Sequence, residues 1–217
     1  MSNNSPEMFA VFNDKGVRIG EADRNVVHNF GLWHATFVCM VYERHRKKIL
    51  CQVKADHKPA DNNDFEIDFS AGGHIRADED PSTSHRELEE ELGAPISEYT
   101  MHFLGQRQSA GTVQLGRIEN EWQYLWLAII DDKELEKLHP NEESRGLIEL
   151  DPSDTIALLS GKKDFIKAAF HQKNMPEKNI QITRDNFVPA YINGEKIFLR
   201  LFESVLRYES GEETLRW

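Results

Sequence analysis

Glu87, Glu90 and Glu91 are the residues whose type and spacing first suggest chemistry. The run from Pro81 to Leu92 reads as a helix, stopped by Gly93 and then Pro95. Wound at about 100° per residue, it sets Leu88 and Leu92 on one stripe with His85 beside them. The three glutamates fall on a different side, within an arc of about 100°. This i, i+3, i+4 spacing stacks carboxylates that repel one another, by roughly a few tenths of a kcal/mol per exposed pair. Core packing does not ask for that, whereas a hard divalent cation does, because Mg²⁺ and Mn²⁺ prefer oxygen ligands. Seven acidic residues and two basic ones, Arg76 and Arg86, lie between Gly72 and Gly93. An isolated Glu-x-x-Glu-Glu is most often a solvated face. Here a short strand and Gly72-Gly73 come first, and glycines let backbone carbonyls and amides approach a ligand closely.

These residues resemble the Nudix hydrolase family. Its box runs Gly, five residues, Glu, seven residues, then Arg-Glu-aliphatic-x-Glu-Glu-x-Gly-aliphatic. The second half is met by Arg86-Glu87-Leu88-Glu89-Glu90-Glu91-Leu92-Gly93-Ala94, with Ala94 as the last apolar residue. The first half departs by one residue. Counting from Gly73 puts the first acid at Glu79, with only six residues before Arg86, and counting from Gly72 puts Asp78 there. Glu79 is preferred, since Ala-Asp-Glu-Asp-Pro resembles the family's Gly-Glu-Thr-Pro turn, and the deletion then falls in the loop. The resemblance implies that Glu87, Glu90, Glu91 and the Gly73 carbonyl hold Mg²⁺ or Mn²⁺ on a diphosphate. It assigns structural roles to Gly72, Glu79, Arg86 and Gly93.

The flanks, over roughly residues 8–130, resemble the isopentenyl-diphosphate isomerase-like branch of the superfamily. In the isomerases two histidines, a third in a Cys-x-His segment and a Glu-x-Glu pair bind a metal. The corresponding residues are His28, His34, His74 and Glu119 with Glu121, and His28, His34, His74 and Glu119 are the candidate second metal or substrate site. The bland alternative for His28 and His34 is a hydrogen-bonded structural role. Two departures argue against isomerisation: Gly72 stands where the cysteine would be, and the glutamate helix is intact. Glu121 is a candidate general base or further ligand, beside Glu90 and Glu91 in the catalytic set, and Lys54 is a candidate phosphate contact.

The remaining sequence sets bounds. The chain has 217 residues, 39% hydrophobic and 29% charged, with a formal net charge of −11. That fits one globular domain and disfavours nucleic acid backbones or anionic membranes as partners. Two cysteines, Cys39 and Cys51, read as buried free thiols rather than a disulfide framework. The start has no signal-peptide pattern and no apolar run approaches the ~20 residues of a membrane span, so a cytoplasmic protein is expected.

The elements that must position these residues follow from pattern. Residues 8–13 read as a strand and turn, Asp23 as the cap of a short helix over 24–28, and 33–42 with 49–53 as a β-hairpin. Further strands are expected at 65–69, 99–106, 113–117 and 122–130, a helix or turn at 131–139, and short helices at 151–160 and 164–172. Residues 197–208 form an amphipathic helix with Phe198, Leu201, Phe202, Val205 and Leu206 on one stripe. With Phe187-Val188-Pro189 it is suited to covering the sheet or to a homodimer contact. The expected fold is α/β of the α+β type, an α/β/α sandwich with a mixed sheet. It forms one domain over 1–217: an N-terminal extension (1–31), a core (about 32–150) and a C-terminal helical extension (151–217).

The expected activity is metal-dependent hydrolysis of a diphosphate linkage in a nucleoside diphosphate derivative or a related small phosphorylated metabolite. The alternatives are isopentenyl-diphosphate isomerase-like activity and a non-catalytic nucleotide-binding module. The leaving group is expected to be read by residues 54–64, 106–116 and the segment after about 150. Trp33, Trp122, Phe187 and Trp217 could stack on a base, although core positions are the preferred reading.

Overall fold

A computed structural model describes residues 7–54, 65–93, 95, 97, 99–114, 117–172 and 175–217. Its strands are β1 (Met8–Phe12), β2 (Arg18–Asp23), β3 (Trp33–Glu43), β4 (Lys48–Lys54), β5 (Ala71–His74), β6 (Thr100–Gln114), β7 (Arg117–Ile130), β8 (Ser144–Leu150), β9 (Ile166–Gln172) and β10 (Lys178–Ile182). The helices are α1 (Arg24–Phe30), α2 (Arg86–Leu92), α3 (Asp132–Leu135), α4 (Pro152–Leu159), α5 (Pro189–Ile192) and α6 (Ile197–Glu209).

The apolar, β-branched run of β3 makes it the spine of one mixed ten-stranded sheet. Along one edge β3 pairs in parallel with β7, from His34 opposite Glu121 to Glu43 opposite Ile130. Along the other it changes partner: residues 41–43 pair with β4, residues 36–39 with β5, and residues 33–34 with β1. The strand order β10-β9-β8-β4-β3-β1-β2 completes the main path.

Side chains alternate across β3, so the sheet has a core on each face. Val38, Met40 and Tyr42 join Phe69, Phe187, Phe198, Leu201 and Phe202 under α4 and α6. Phe37, Cys39 and Val41 join Leu88, Leu92 and Trp126 under α2. The fold is therefore the mixed α+β arrangement expected, with helices on both faces. The amphipathic 197–209 helix buries its stripe on the sheet, although Leu206 is exposed. Cys39 and Cys51 are free and buried in opposite cores, where desolvation pushes both thiols up.

Several boundaries differ from the sequence reading. Residues 81–85 are turn rather than helix: the Asp80 carboxylate accepts the Ser82 N–H at 2.9 Å and its carbonyl accepts those of Thr83 and Ser84. Asp and Ser side chains compete with helical bonding in this way. Residues 166–172 are a strand, not a helix, because Ile166, Ala168 and Phe170 alternate inward and β8 offers an edge. The strands expected at 99–106, 113–117 and 122–130 merge into the antiparallel pair β6 and β7, with residues 115 and 116 outside the described residues. Residues 65–69 lie outside the named strands, with Ile67 bridging Val53 and Phe187. Residues 18–23 form β2, and the segment after 150 carries strands as well as helices. Ala94 and residues 55–64 lie outside the described residues. Among the described residues no helix is long and apolar enough to cross a membrane.

Candidate active site

Helix α2 is anchored by fully buried Leu88 and Leu92 and closed by Gly93 in the left-handed conformation, whose N–H bonds to Glu89. That anchoring turns Glu87, Glu90 and Glu91 toward a cavity of about 600 Å³. Gly72, Gly73 and His74 of β5 line the same cavity. At Gly73 a Cβ would land on the Glu87 carboxyl carbon, so glycine there lets helix and strand come together.

The three carboxylates are held differently. Glu91 is buried, and its Oε2 accepts from Gln52 Nε2 at 2.7 Å and from the Gly72 amide at 3.1 Å. Burial pushes its pKa up to about 8, against the downward pull of the Gly72 hydrogen bond. Burial also raises Glu87, opposed by Arg86. Arg86 contacts Glu79 at 2.9 Å, Glu87 at 2.7 Å and Glu90 at 2.5 Å, and it donates to the His74 carbonyl at 3.1 Å. Arg86 is thus a bracket tying the loop acid and two helix acids to β5. Glu79, not Asp78, is the loop acid it meets, and that carboxylate also accepts the Arg76 amide at 2.8 Å. Lys54 lines the cavity and pairs with Asp68 at 2.8 Å.

The histidines converge. His28 on α1, His34 on β3, His74 on β5 and Glu119 on β7 bring one ligand atom each to within 4.8 Å of one another. Two of the rings are fixed from behind: His28 Nδ1 lies 2.6 Å from the Arg24 carbonyl and His34 Nδ1 lies 2.9 Å from the Leu32 carbonyl. Both therefore turn Nε2 inward, the arrangement metal-binding imidazoles use. His28 Nε2 lies 3.1 Å from both His74 Nε2 and Glu119 Oε2. Burial pushes His74 down to about 2 and also lowers His34, which keeps these two rings neutral. His34 Nε2 is buried with no hydrogen-bond partner. Neutral imidazoles with an orphaned inward nitrogen and a carboxylate beside them fit a divalent ion. The three helix glutamates do not converge to that degree, since Arg86 draws Glu87 and Glu90 to itself.

Glu121 stands opposite His34 in the sheet register and lines the cavity that holds the helix glutamates. Burial pushes its pKa up to about 7, while a 2.6 Å hydrogen bond from Gln123 acts against that shift. Of the aromatic candidates, Trp33 and Trp122 pack on each other, Phe187 is core, and Trp217 lies under Arg107 and Arg200. None of the four lines the cavity; Phe69 and Tyr191 do. Gln52, Gln123 and Tyr191 were not legible as site residues. For Gln52 the one available signal is a lone amide interrupting the apolar run of β4.

Comparison with known proteins accords with this geometry. The family model for the NUDIX domain matches residues 32–169, more than half of the chain. An uncharacterised Nudix hydrolase of Clostridium acetobutylicum is 27% identical over 203 residues, covering 89% of this chain and 96% of that one. Another, from Rhodococcus erythropolis, is 36% identical over 92 residues, covering 42% and 49%. A crystal structure of a Deinococcus radiodurans protein shares the fold, with a TM-score of 0.52 at 15% identity, covering 72% of this chain and 91% of that one. The chain belongs to the NUDIX domain family, and it is a hydrolase.

Proposed function

We propose that this protein hydrolyses a diphosphate linkage in a small phosphorylated metabolite with the help of Mg²⁺ or Mn²⁺. The carrying observation is Glu91, a buried carboxylate fixed by Gln52 and Gly72 on the wall of the cavity that Glu87, Glu90 and Glu121 also line. Glu87, Glu90 and Glu91, with the Gly73 carbonyl, would hold the ions, and divalent ions supply charge neutralisation and a more acidic water. Glu121, with its raised pKa, is suited to accept a proton near neutral pH. Lys54 sits at the cavity wall to meet a phosphate oxygen, in exchange for Asp68. The reaction then rests on positioning and electrostatics, as phosphoryl transfer does. Phosphate release from diphosphate substrates with added Mg²⁺ tests this. Glu90→Gln and Glu91→Gln should each lower the rate by about a hundred-fold or more, and unchanged rates would sink the assignment.

The histidine set favours a second ion as part of the reading. His28, His34, His74 and Glu119 would hold a first-row transition-metal ion such as Mn²⁺. An isomerase-like reaction is less well supported, because Gly72 offers its amide to Glu91 where that chemistry needs a thiol.

A further inference from the structure

The sheet carries a second cavity, of about 630 Å³, that shares no lining residue with the one described above. Leu50 of β4 and Leu147 and Glu149 of β8 form its floor. Leu50 lies opposite Glu149 in the register, and Gln52, the next residue of β4 on that face, lies opposite Leu147. Both leucines belong to the core under α2. Leu135, Leu138 and Pro140, from α3 and the chain after it, line the other side. A few hundred Å³ with a mostly apolar wall and a few placed polar groups is the form that small-molecule sites take.

Glu149 is the polar group set into this wall. It is buried, and both of its close contacts fall on Oε1, from Arg46 Nη1 at 2.9 Å and His171 Nε2 at 2.8 Å. Among the described residues no hydrogen bond reaches Oε2, and that atom is not one of the enclosed ones that lack a partner. A carboxylate accepts on both oxygens, so Oε2 offers an acceptor to a ligand. Glu136 is a second carboxylate of the lining, and its one guanidinium, Arg46, also lies 3.7 Å from Asp132. These surroundings match a cationic donor. A carboxylate head would meet Glu149 as a like charge.

The residues that roof this cavity also end α2. The His139 N–H donates to the Leu92 carbonyl at 2.7 Å, and the Asn141 N–H donates to the Glu91 carbonyl at 2.9 Å. A Cβ on Gly93 would come within 3.1 Å of the His139 carbonyl oxygen, so the two segments are in close contact. Glu143, two residues beyond Asn141, lines the main cavity. An occupant packed on Leu138 and Pro140 would therefore hold the segment that satisfies the last carbonyls of the carboxylate helix.

We propose that this second cavity binds a small apolar amine, with its ammonium on Glu149 and its body on Leu50, Leu138 and Leu147, and that occupancy steadies the C-terminal end of α2 through residues 138–141. The site stands apart from the diphosphate chemistry and does not depend on it.

The full chain is titrated at pH 8 with 2-phenylethylamine, 2-phenylethanol and 3-phenylpropanoate, followed by heteronuclear NMR. The three probes share an apolar body and differ in the head, and pH 8 lies above the range in which imidazoles ordinarily ionise. The amine should bind about ten-fold or more tightly than the other two, with larger shifts at Leu50, Leu147 and Glu149 than at Gly72 and Gly73. Glu149→Gln should weaken the amine by about ten-fold and leave the alcohol little changed. Leu135→Trp, which fills the cavity from a half-buried position, should abolish binding of all three, and it decides the matter should Glu149→Gln fail to fold. With the amine at about ten times its Kd, amide exchange at His139 and Asn141 should slow by about ten-fold. Absent or equal binding of the three heads, shifts confined to the main cavity, or unchanged amine affinity in the folded variants would overturn the site. Unchanged exchange at His139 and Asn141 with the amine bound would overturn its link to α2.

Discussion

Gln52 of β4 reaches across to α2 and donates its amide to Glu91 Oε2 at 2.7 Å, while also bonding the Ser70 carbonyl at 2.9 Å. One carboxylate oxygen of Glu91 is thereby fixed by β4 and by the Gly72 amide of β5. Helix α2 is registered to the sheet by this polar contact as well as by Leu88 and Leu92. Replacing Gln52 with leucine should leave Glu91 buried and under-bonded. The expected cost is about 1–3 kcal/mol of stability, read by urea unfolding, with a fall in Mg²⁺ affinity read by calorimetry. A variant as stable and as metal-avid as the wild type would show that the contact is incidental.

If Glu91 holds a divalent ion as proposed, metal binding should depend on pH. Its folded pKa is raised, from an ordinary value of 4.5 to about 8. The folded, metal-free state therefore holds this proton more tightly than the unfolded chain does. The stabilising contribution is fully present below about pH 4.5 and is lost as pH rises through about 8. Divalent ions need the ionised form, so affinity should rise between pH 6 and 8, with proton uptake by the buffer on binding at about pH 7. Calorimetry in two buffers of different ionisation enthalpy measures that proton release. Its absence at pH 7 would mean that Glu91 is already ionised or takes no part.

Gly73→Ala separates activity from stability. The added methyl meets the flexible end of Glu87 rather than backbone, so the side chain can swing aside. Loss of stability should be modest, about 1–2 kcal/mol, whereas hydrolysis should fall by about a hundred-fold as Glu87 leaves its station. Thermal melts and initial rates measured together decide this. Wild-type rates would show that the close approach is not used.

The histidine set should carry metal of its own. Elemental analysis of protein refolded with Mn²⁺ and desalted should find about one ion retained, and His34→Ala or His74→Ala should lose it. Retention in both variants would place the ion elsewhere.

The C-terminal helix is core, not appendage. Phe198 is fully buried and stacks on Phe69 with ring centroids 5.1 Å apart. Phe198→Ala should cost about 3–5 kcal/mol in equilibrium unfolding. A change below about 1 kcal/mol would mean that the segment docks loosely.

What the sequence determined by itself was local. Helical period alone sets Glu87, Glu90 and Glu91 apart from Leu88 and Leu92, because neighbours three and four apart share a face wherever the helix is placed. The alternating, β-rich runs around residues 33–53 likewise define a hairpin before any partner is known. Only the tertiary structure decided the rest. His28, His34, His74 and Glu119 come from four elements and meet only because β3 carries β1 and β5 on one edge and β7 on the other. Residues 166–172 became a strand because β8 offered an edge. The chain's own pattern also gave no sign that Gln52 would meet Glu91 or that Tyr191 would meet Phe69. Such pairings depend on long-range register, which residue type and spacing do not encode.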